Sequence, residues 1–138
     1  MTKQNPARPE VGCGAIILDG QGRLLLMQRL REPEAGGWGL SGGKIDFGER
    51  AEEAIIREVN EELGILVEID QLAFISEIID GGDGRHWVSP VYLMRHVSGE
   101  PRCMEPEKHG GVGWYSLDAL PDNLTSPTKD AVAWLKSK

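Results

Sequence analysis

Glu58, Glu61 and Glu62 stand three and four residues apart in the segment REVNEELG. On a helix that spacing sets Glu58 beside both of the others, and such like-charge pairs cost roughly 0.2–0.5 kcal/mol each. They also lie close to Gly64, which is placed to end the helix, and the dipole at that end disfavours anions. A sequence selected for helix stability alone would put lysine there. A local rule broken in this way points to a functional site. A divalent cation would compensate, since magnesium takes a few carboxylate oxygens, keeps several waters and bridges to phosphate. In isolation the triplet reads more readily as a solvated acidic helix face. Its surroundings decide between the two.

The element that must position these acids is a helix over Arg50 to Leu63. At about 100° per residue, Ile55, Ile56, Val59 and Leu63 share one arc that faces the core. The three glutamates fall on the adjoining arc, and Arg57, Asn60, Arg50 and Glu53 take the rest. Around the helix the pattern is mostly strand. Val11 to Leu18 and Arg23 to Arg29 read as strands joined by the turn DGQG, hence a hairpin. Residues 30–48 read as loop, with a short strand at Trp38 to Leu40. Ile65 to Ile69, Leu72 to Ile79, Trp87 to Val97 and Val112 to Ser116 read as further strands, and Asp80 to Gly84 as a flexible loop. A last helix runs from Ser126-Pro127 to about Lys136, with Ser126 as its N-cap. Residues 1–10 read as a loose arm. Strands outnumber helices in mixed order, so the expected class is α+β.

Composition sets the bounds. A chain of 138 residues suits one domain with a single core, and residues 1–138 are read as one. The net charge of −7 argues against binding bulk nucleic acid or an anionic membrane, which favour a basic face. It leaves room for a phosphate substrate, because cations can bridge an acidic site to an anion. Two cysteines, Cys13 and Cys103, are too few for a disulfide framework or a zinc site. With no secretory segment and no apolar run of membrane-spanning length, the expected location is cytoplasmic.

Residues 43–65, GKIDFGERAEEAIIREVNEELGI, resemble the Nudix box, G-x5-E-x7-R-E-U-x-E-E-x-G-U with U a bulky aliphatic. Every fixed position matches: Gly43, Glu49, Arg57, Glu58, Val59, Glu61, Glu62, Gly64 and Ile65. At average residue usage a chance match in such a chain is on the order of one in ten million, so the signal is specific for the family. It is not specific for the substrate. The resemblance implies a mixed β-sheet sandwiched between helices. It implies that Glu58, Glu61 and Glu62 are metal-ligand carboxylates, with the backbone carbonyl of Gly42 as a further ligand. It also implies that Arg57 pairs with Glu49 to brace the loop that contains Gly43. A charge-assisted bond suits that task, though an ordinary i,i+4 pair of Arg57 with Glu53 or Glu61 is the plainer alternative. One departure stands beside the box: Ser41 occupies a position where many relatives carry proline. That substitution makes the loop less rigid in principle and removes no ligand.

Outside the box the resemblance reaches the stretch GEPRCMEPEKHGG. There Glu105, with Glu107 second, matches a loop glutamate of MutT-type members that binds metal or activates water. Arg29 is placed like a phosphate-contacting arginine, and His109 and His86 flank the presumed cleft. Trp38, Trp87 and Trp114 are candidates for stacking on a base, although packing is the commoner use of tryptophan. The glycines before Lys44 do not form a P-loop, because the spacing is short and Ile45 stands where Ser or Thr would be needed.

The expected activity is magnesium-dependent hydrolysis, with manganese as an alternative, of a nucleoside triphosphate to the monophosphate and pyrophosphate. Water attacks phosphorus, and Glu61, Glu62 or Glu105 takes the proton. A pyrophosphatase of ADP-ribose or another nucleoside diphosphate-X is the second reading. A nucleotide-binding regulator without turnover is the third. The resemblance also implies a homodimer.

Overall fold

A side chain at Gly12 would meet the Gly43 carbonyl oxygen at 2.9 Å, and one at Gly42 would run into the Cys13 carbonyl. The first strand and the glycine-rich segment thus approach more closely than any larger residue allows. This contact organises the sheet in the computed structural model, which describes residues 7–80 and 84–138. The elements are β1 (Glu10–Leu18), β2 (Leu24–Arg29), β3 (Trp38–Gly39), β4 (Ser41–Lys44), α1 (Ala51–Leu63), β5 (Leu66–Asp80), β6 (Arg85–Ser98), β7 (His109–Tyr115) and α2 (Ser126–Lys136).

The strands form a mixed sheet in the order β3-β2-β1-β6-β5, with β4 on β1 and β7 on β2. β1 runs parallel to β6 and antiparallel to β4, which pairs Ala15 with Ser41 and Cys13 with Gly43. The expected β1–β2 hairpin is a hairpin only at its turn. The strands pair at Leu18 and Leu24 and then part, β1 taking β4 while β2 takes β3 and β7. Asp19 holds the turn, its Oδ1 accepting the N–H groups of Gln21 and Arg23 at 2.9 Å each.

Strand periodicity sends alternate residues to opposite faces. Ala15, Ile17, Leu25 and Met27 pack under α1 with Ile55, Val59 and Leu63. Ile16, Leu24 and Leu26 pack under α2 with Ala131 and Val132. The sheet is therefore sandwiched between helices, an α+β arrangement. The three aliphatic anchors of α1 are fully buried, and burying each contributes about 1.5–3 kcal/mol before entropy is counted. Ala54 joins them in place of Ile56, which is only partly buried.

Several boundaries differ from the sequence reading, and β7 begins at His109 where Val112 was expected. β4 lies in the segment read as loop. β5 is one strand where two were expected; irregular registers between Ile69 and Gln71 and between Leu72 and Phe74 carry the polar Asp70-Gln71 pair through without a break. The N-cap of α2 is Thr125, not Ser126. Thr125 is held extended because its N–H donates to the Trp38 carbonyl at 2.9 Å, so the cap falls on Thr125 and Ser126 becomes the first helical residue. Of the arm expected at residues 1–10, residues 1–6 lie outside the described residues, and Glu10 belongs to β1. Gly81 to Asp83 of the expected flexible loop also lie outside them. No helix among the described residues is long and apolar enough to cross a membrane.

Candidate active site

At the start of α1 the Arg50 N–H donates to the Glu53 Oε1 at 2.9 Å. The helix ends at Gly64, whose left-handed backbone (φ 71°) suits glycine. The helix's last carbonyls do not face solvent alone. Met104 N–H donates to Glu62 O and Arg102 N–H to Leu63 O, both at 3.0 Å. These bonds satisfy orphan acceptors at the end where the glutamates crowd. They also fasten the segment after β6 against α1, which brings Glu105 to the acidic stripe.

Glu62 is anchored to β4. Its Oε1 accepts the Ser41 hydroxyl at 2.6 Å and the Gly42 N–H at 3.0 Å. Burial pushes its carboxyl up to about 7; the two donors oppose that shift, and Glu58 and Glu105 add to it. The Glu58 carboxyl is also raised, by burial first, with Glu61 and Glu105 contributing and Arg57 opposing. Glu58, Glu62 and Glu105 therefore lie within electrostatic reach of one another, and Glu61 joins through Glu58. Glu58 rests against the Cα of Gly43, where any side chain would collide with its carboxylate.

Arg57 lies beside the stripe. Its Nε and Nη2 donate to the two oxygens of Glu49 at 2.7 and 2.9 Å, and its Nη2 also donates to the Lys44 carbonyl at 3.2 Å. The fork joins α1 to the loop before it and to the end of β4. The same guanidinium reaches Glu61 at 3.1 Å and Glu58 at 3.4 Å, so the i,i+4 pair coexists with the fork. Beside it, the Glu49 carboxyl falls to about 2, chiefly through the Arg57 bond.

The carboxylates of Glu58, Glu61, Glu62 and Glu105 offer hard oxygens, and that is the chemistry a small divalent cation selects. Among the described residues no three acidic, histidine or cysteine side chains converge tightly enough to hold one as they stand. The reason is visible in the partners: Glu61 is turned to Arg57, and Glu62 Oε1 to Ser41 and Gly42. The donor set fits such a cation.

A cleft of about 310 Å³ opens beside the stripe, with Glu62, Ser41 and Gly42 at one end and Arg29, His109 and Trp87 along its walls. Arg29 Nε donates to the Pro33 carbonyl at 2.8 Å. His109 pairs with Arg29 across the β2–β7 ladder. Its ring Nδ1 is buried without a hydrogen-bond partner among the described residues. Burial lowers the His109 pKa, with Arg29 adding to the effect and Glu105 opposing it, so the ring is neutral near pH 7. Glu34, a further wall residue, accepts the Ser126 N–H at 2.9 Å and the Ser126 hydroxyl at 3.1 Å. It thereby ties the cleft's outer loop to α2. Cys13 also lines the cleft, and burial raises its thiol to about 11, which keeps it protonated and unreactive.

The remaining expected site residues lie elsewhere. Trp38 does not line the cleft. Its ring packs edge-on against Tyr115 with centroids 5.4 Å apart, in the core under α2, because β3 directs it to that face. Trp114 packs against the core under α1 and beside His96. Glu107 is exposed, and its charge acts on His109. His86 is not a wall residue. Sequence reasoning discounted Ser41, which is 2% exposed and bonded to Glu62. It did not single out Glu34 at all; no local signal marks a contact that spans 92 residues.

Residues 8–135 match the family model described as NUDIX domain. A solved structure titled as a MutT NUDIX hydrolase from Burkholderia pseudomallei superposes with a TM-score of 0.89 at 50% identity, over 93% of this chain and 98% of that one. An ADP-ribose pyrophosphatase of Methanocaldococcus jannaschii is 29% identical over 105 residues, 76% of this chain and 61% of that protein. A putative 8-oxo-dGTP diphosphatase 2 of Mycobacterium tuberculosis is 35% identical over 102 residues, 72% of this chain and 68% of that protein. Among the curated relatives, the chain spans between 29% and 61% of the length of four.

Proposed function

We propose that this chain, which belongs to the NUDIX domain family, is a nucleotide pyrophosphohydrolase that splits a nucleoside triphosphate into the monophosphate and pyrophosphate. The observation that carries this reading is the acidic stripe itself. Glu58 and Glu62 adjoin on one helix, both are pushed up by burial with Glu105 adding to the effect, and Glu62 lines a cleft of nucleotide size. A divalent cation held by Glu58, Glu61, Glu62 and the Gly42 carbonyl would neutralise diphosphate charge and make a neighbouring water more acidic. The chain's own groups do the rest. Arg29 is tied at Nε, and among the described residues its other guanidinium N–H groups have no hydrogen-bond partner and can meet a phosphate. Glu62 Oε1 is held by β4, and its Oε2 accepts no bond among the described residues. Glu61, Glu62 and Glu105 are the carboxylates of the cluster that can take the proton from water. Water oxygen bonds to phosphorus, the bridging P–O bond breaks, the proton passes to a carboxylate, and pyrophosphate leaves.

About 310 Å³ lies at the low end of the roughly 300–1,000 Å³ typical of ligand pockets, which suits one nucleoside with its first phosphate. The similarity to the Mycobacterium protein favours the triphosphate reading. Similarity to the archaeal ADP-ribose pyrophosphatase favours a second reading, hydrolysis of a nucleoside diphosphate-X. We place the activity in the cytoplasm, with magnesium as the working cation, in a single domain that forms a homodimer. The test is a panel of nucleoside triphosphates and ADP-ribose with Mg2+ or Mn2+, scored for pyrophosphate and AMP. Pyrophosphate release from a triphosphate is expected. AMP release from ADP-ribose alone shifts the assignment to the second reading. Tight nucleotide binding without turnover, unchanged by Glu62→Gln, contradicts both.

A further inference from the structure

We infer that Ser41 is a positioning residue that presents Glu62 to a divalent cation. Ser41 opens β4 and is 2% exposed, so its hydroxyl has few partners to choose from. It donates to Glu62 Oε1 at 2.6 Å, and the adjacent Gly42 N–H donates to the same oxygen at 3.0 Å. A 2.6 Å O–H···O⁻ contact lies in the short range of charge-assisted bonds. Two donors on one carboxylate oxygen fix the plane of the group and direct the other oxygen elsewhere. Oε2 accepts nothing among the described residues, and Glu62 lines the cleft. The geometry therefore prepares a one-oxygen ligand.

The hydroxyl is also anchored. Ser41 pairs with Ala15 across the β1–β4 ladder, and Ala15 is fully buried, so the donor is built on the sheet and not on a loop. Proline at this position would supply neither a hydroxyl nor an equivalent donor and would leave Gly42 to hold Glu62 alone. Ser41 thus adds a second support to a ligand that is otherwise singly held. Partners of this kind typically change metal affinity or activity by about 10–100-fold when removed.

The inference rests on the cation-dependent hydrolase reading, and its test is separable from it. Mn2+ binding to the nucleotide-free protein is measured by calorimetry and by the free-ion EPR signal in the wild type, Ser41→Ala, Glu62→Gln and the double variant. In Glu62→Gln the new amide oxygen can still accept both bonds, but the side chain offers no charged oxygen to the ion. Ser41→Ala is expected to weaken Mn2+ binding about tenfold in the wild-type background, and less than about twofold in the Glu62→Gln background, because the residue acts through Glu62. Ser41→Cys, close in size with a much weaker donor, runs the same cycle if alanine unsettles β4. Unchanged affinity on losing the hydroxyl, or an equal loss in both backgrounds, overturns the inference. Turnover is assayed on the same preparations. A wild type that hydrolyses nucleotide while Mn2+ affinity ignores Ser41 sinks this inference alone, and a Ser41-dependent Mn2+ site without turnover sinks the hydrolase reading alone.

Discussion

Replacing Glu62 by glutamine should stabilise the cation-free protein at neutral and alkaline pH. Glu62 is ordinarily a carboxylate of pKa 4.5, raised to about 7 by burial with help from Glu58 and Glu105. A carboxyl whose folded pKa exceeds its unfolded value binds more protons when folded. Its contribution to stability therefore falls as pH rises from about 4.5 to about 7, and the loss persists above that. At about 1.4 kcal/mol per unit, the loss from this one group is on the order of 3 kcal/mol by about pH 8. Glutamine keeps the shape and can accept both the Ser41 and Gly42 bonds, but it carries no charge to bury. Urea unfolding in EDTA, at about pH 5 and about pH 8, checks the prediction. The variant should exceed the wild type by roughly 2–3 kcal/mol at the higher pH, and the gap should shrink markedly at the lower. The difference between the two proteins matters more than either curve. His109, whose pKa is lowered by burial, has the opposite slope in the same pH range, and it is common to both. Mg2+ at roughly a hundred times its Kd should close the gap, because an ion bound only to the folded wild type stabilises it by about 2.7 kcal/mol. A variant no more stable than the wild type in EDTA at the higher pH would refute the reasoning that the two donors on Glu62 only partly offset the burial of its charge.

Two neighbouring glycines should fail in different ways. Alanine at Gly43 meets the flexible end of Glu58, whereas alanine at Gly42 meets the backbone of Cys13. Gly43→Ala should therefore keep an unfolding midpoint near the wild type and lose about tenfold or more in kcat/KM, while Gly42→Ala should lower the midpoint visibly in a thermal melt. Arg57→Lys keeps the charge but not the two-bond fork to Glu49. It should cost about tenfold in kcat/KM, and equal activity in lysine and arginine proteins would show that charge alone suffices.

The helix was legible in the sequence because its signals are local: the apolar arc of Ile55, Val59 and Leu63, the glycine stop at Gly64 and the spacing of three acids. The alternating strands β1 and β6 were legible for the same reason. What was not legible depends on contacts distant in sequence. β4 has the composition of a loop, and its glycines make sense as strand only once β1 lies against them. Trp38 has the chemistry of a base-stacking residue, yet β3 turns it toward Tyr115. Ser41 looked like a neutral loss of proline until Glu62, 21 residues away, was found on its hydroxyl. The delivery of Glu105 depends on backbone bonds from Arg102 and Met104 to the end of α1, which no side-chain pattern announces.

The most direct measurement is a crystal soaked in Mn2+ with a non-hydrolysable nucleoside triphosphate analogue, examined by anomalous diffraction. Manganese density touching Glu58 and Glu62 and bridging to the analogue's phosphates is the predicted result. Manganese bound elsewhere, with those carboxylates still turned to Arg57 and Ser41 and the phosphates remote from α1, would contradict it.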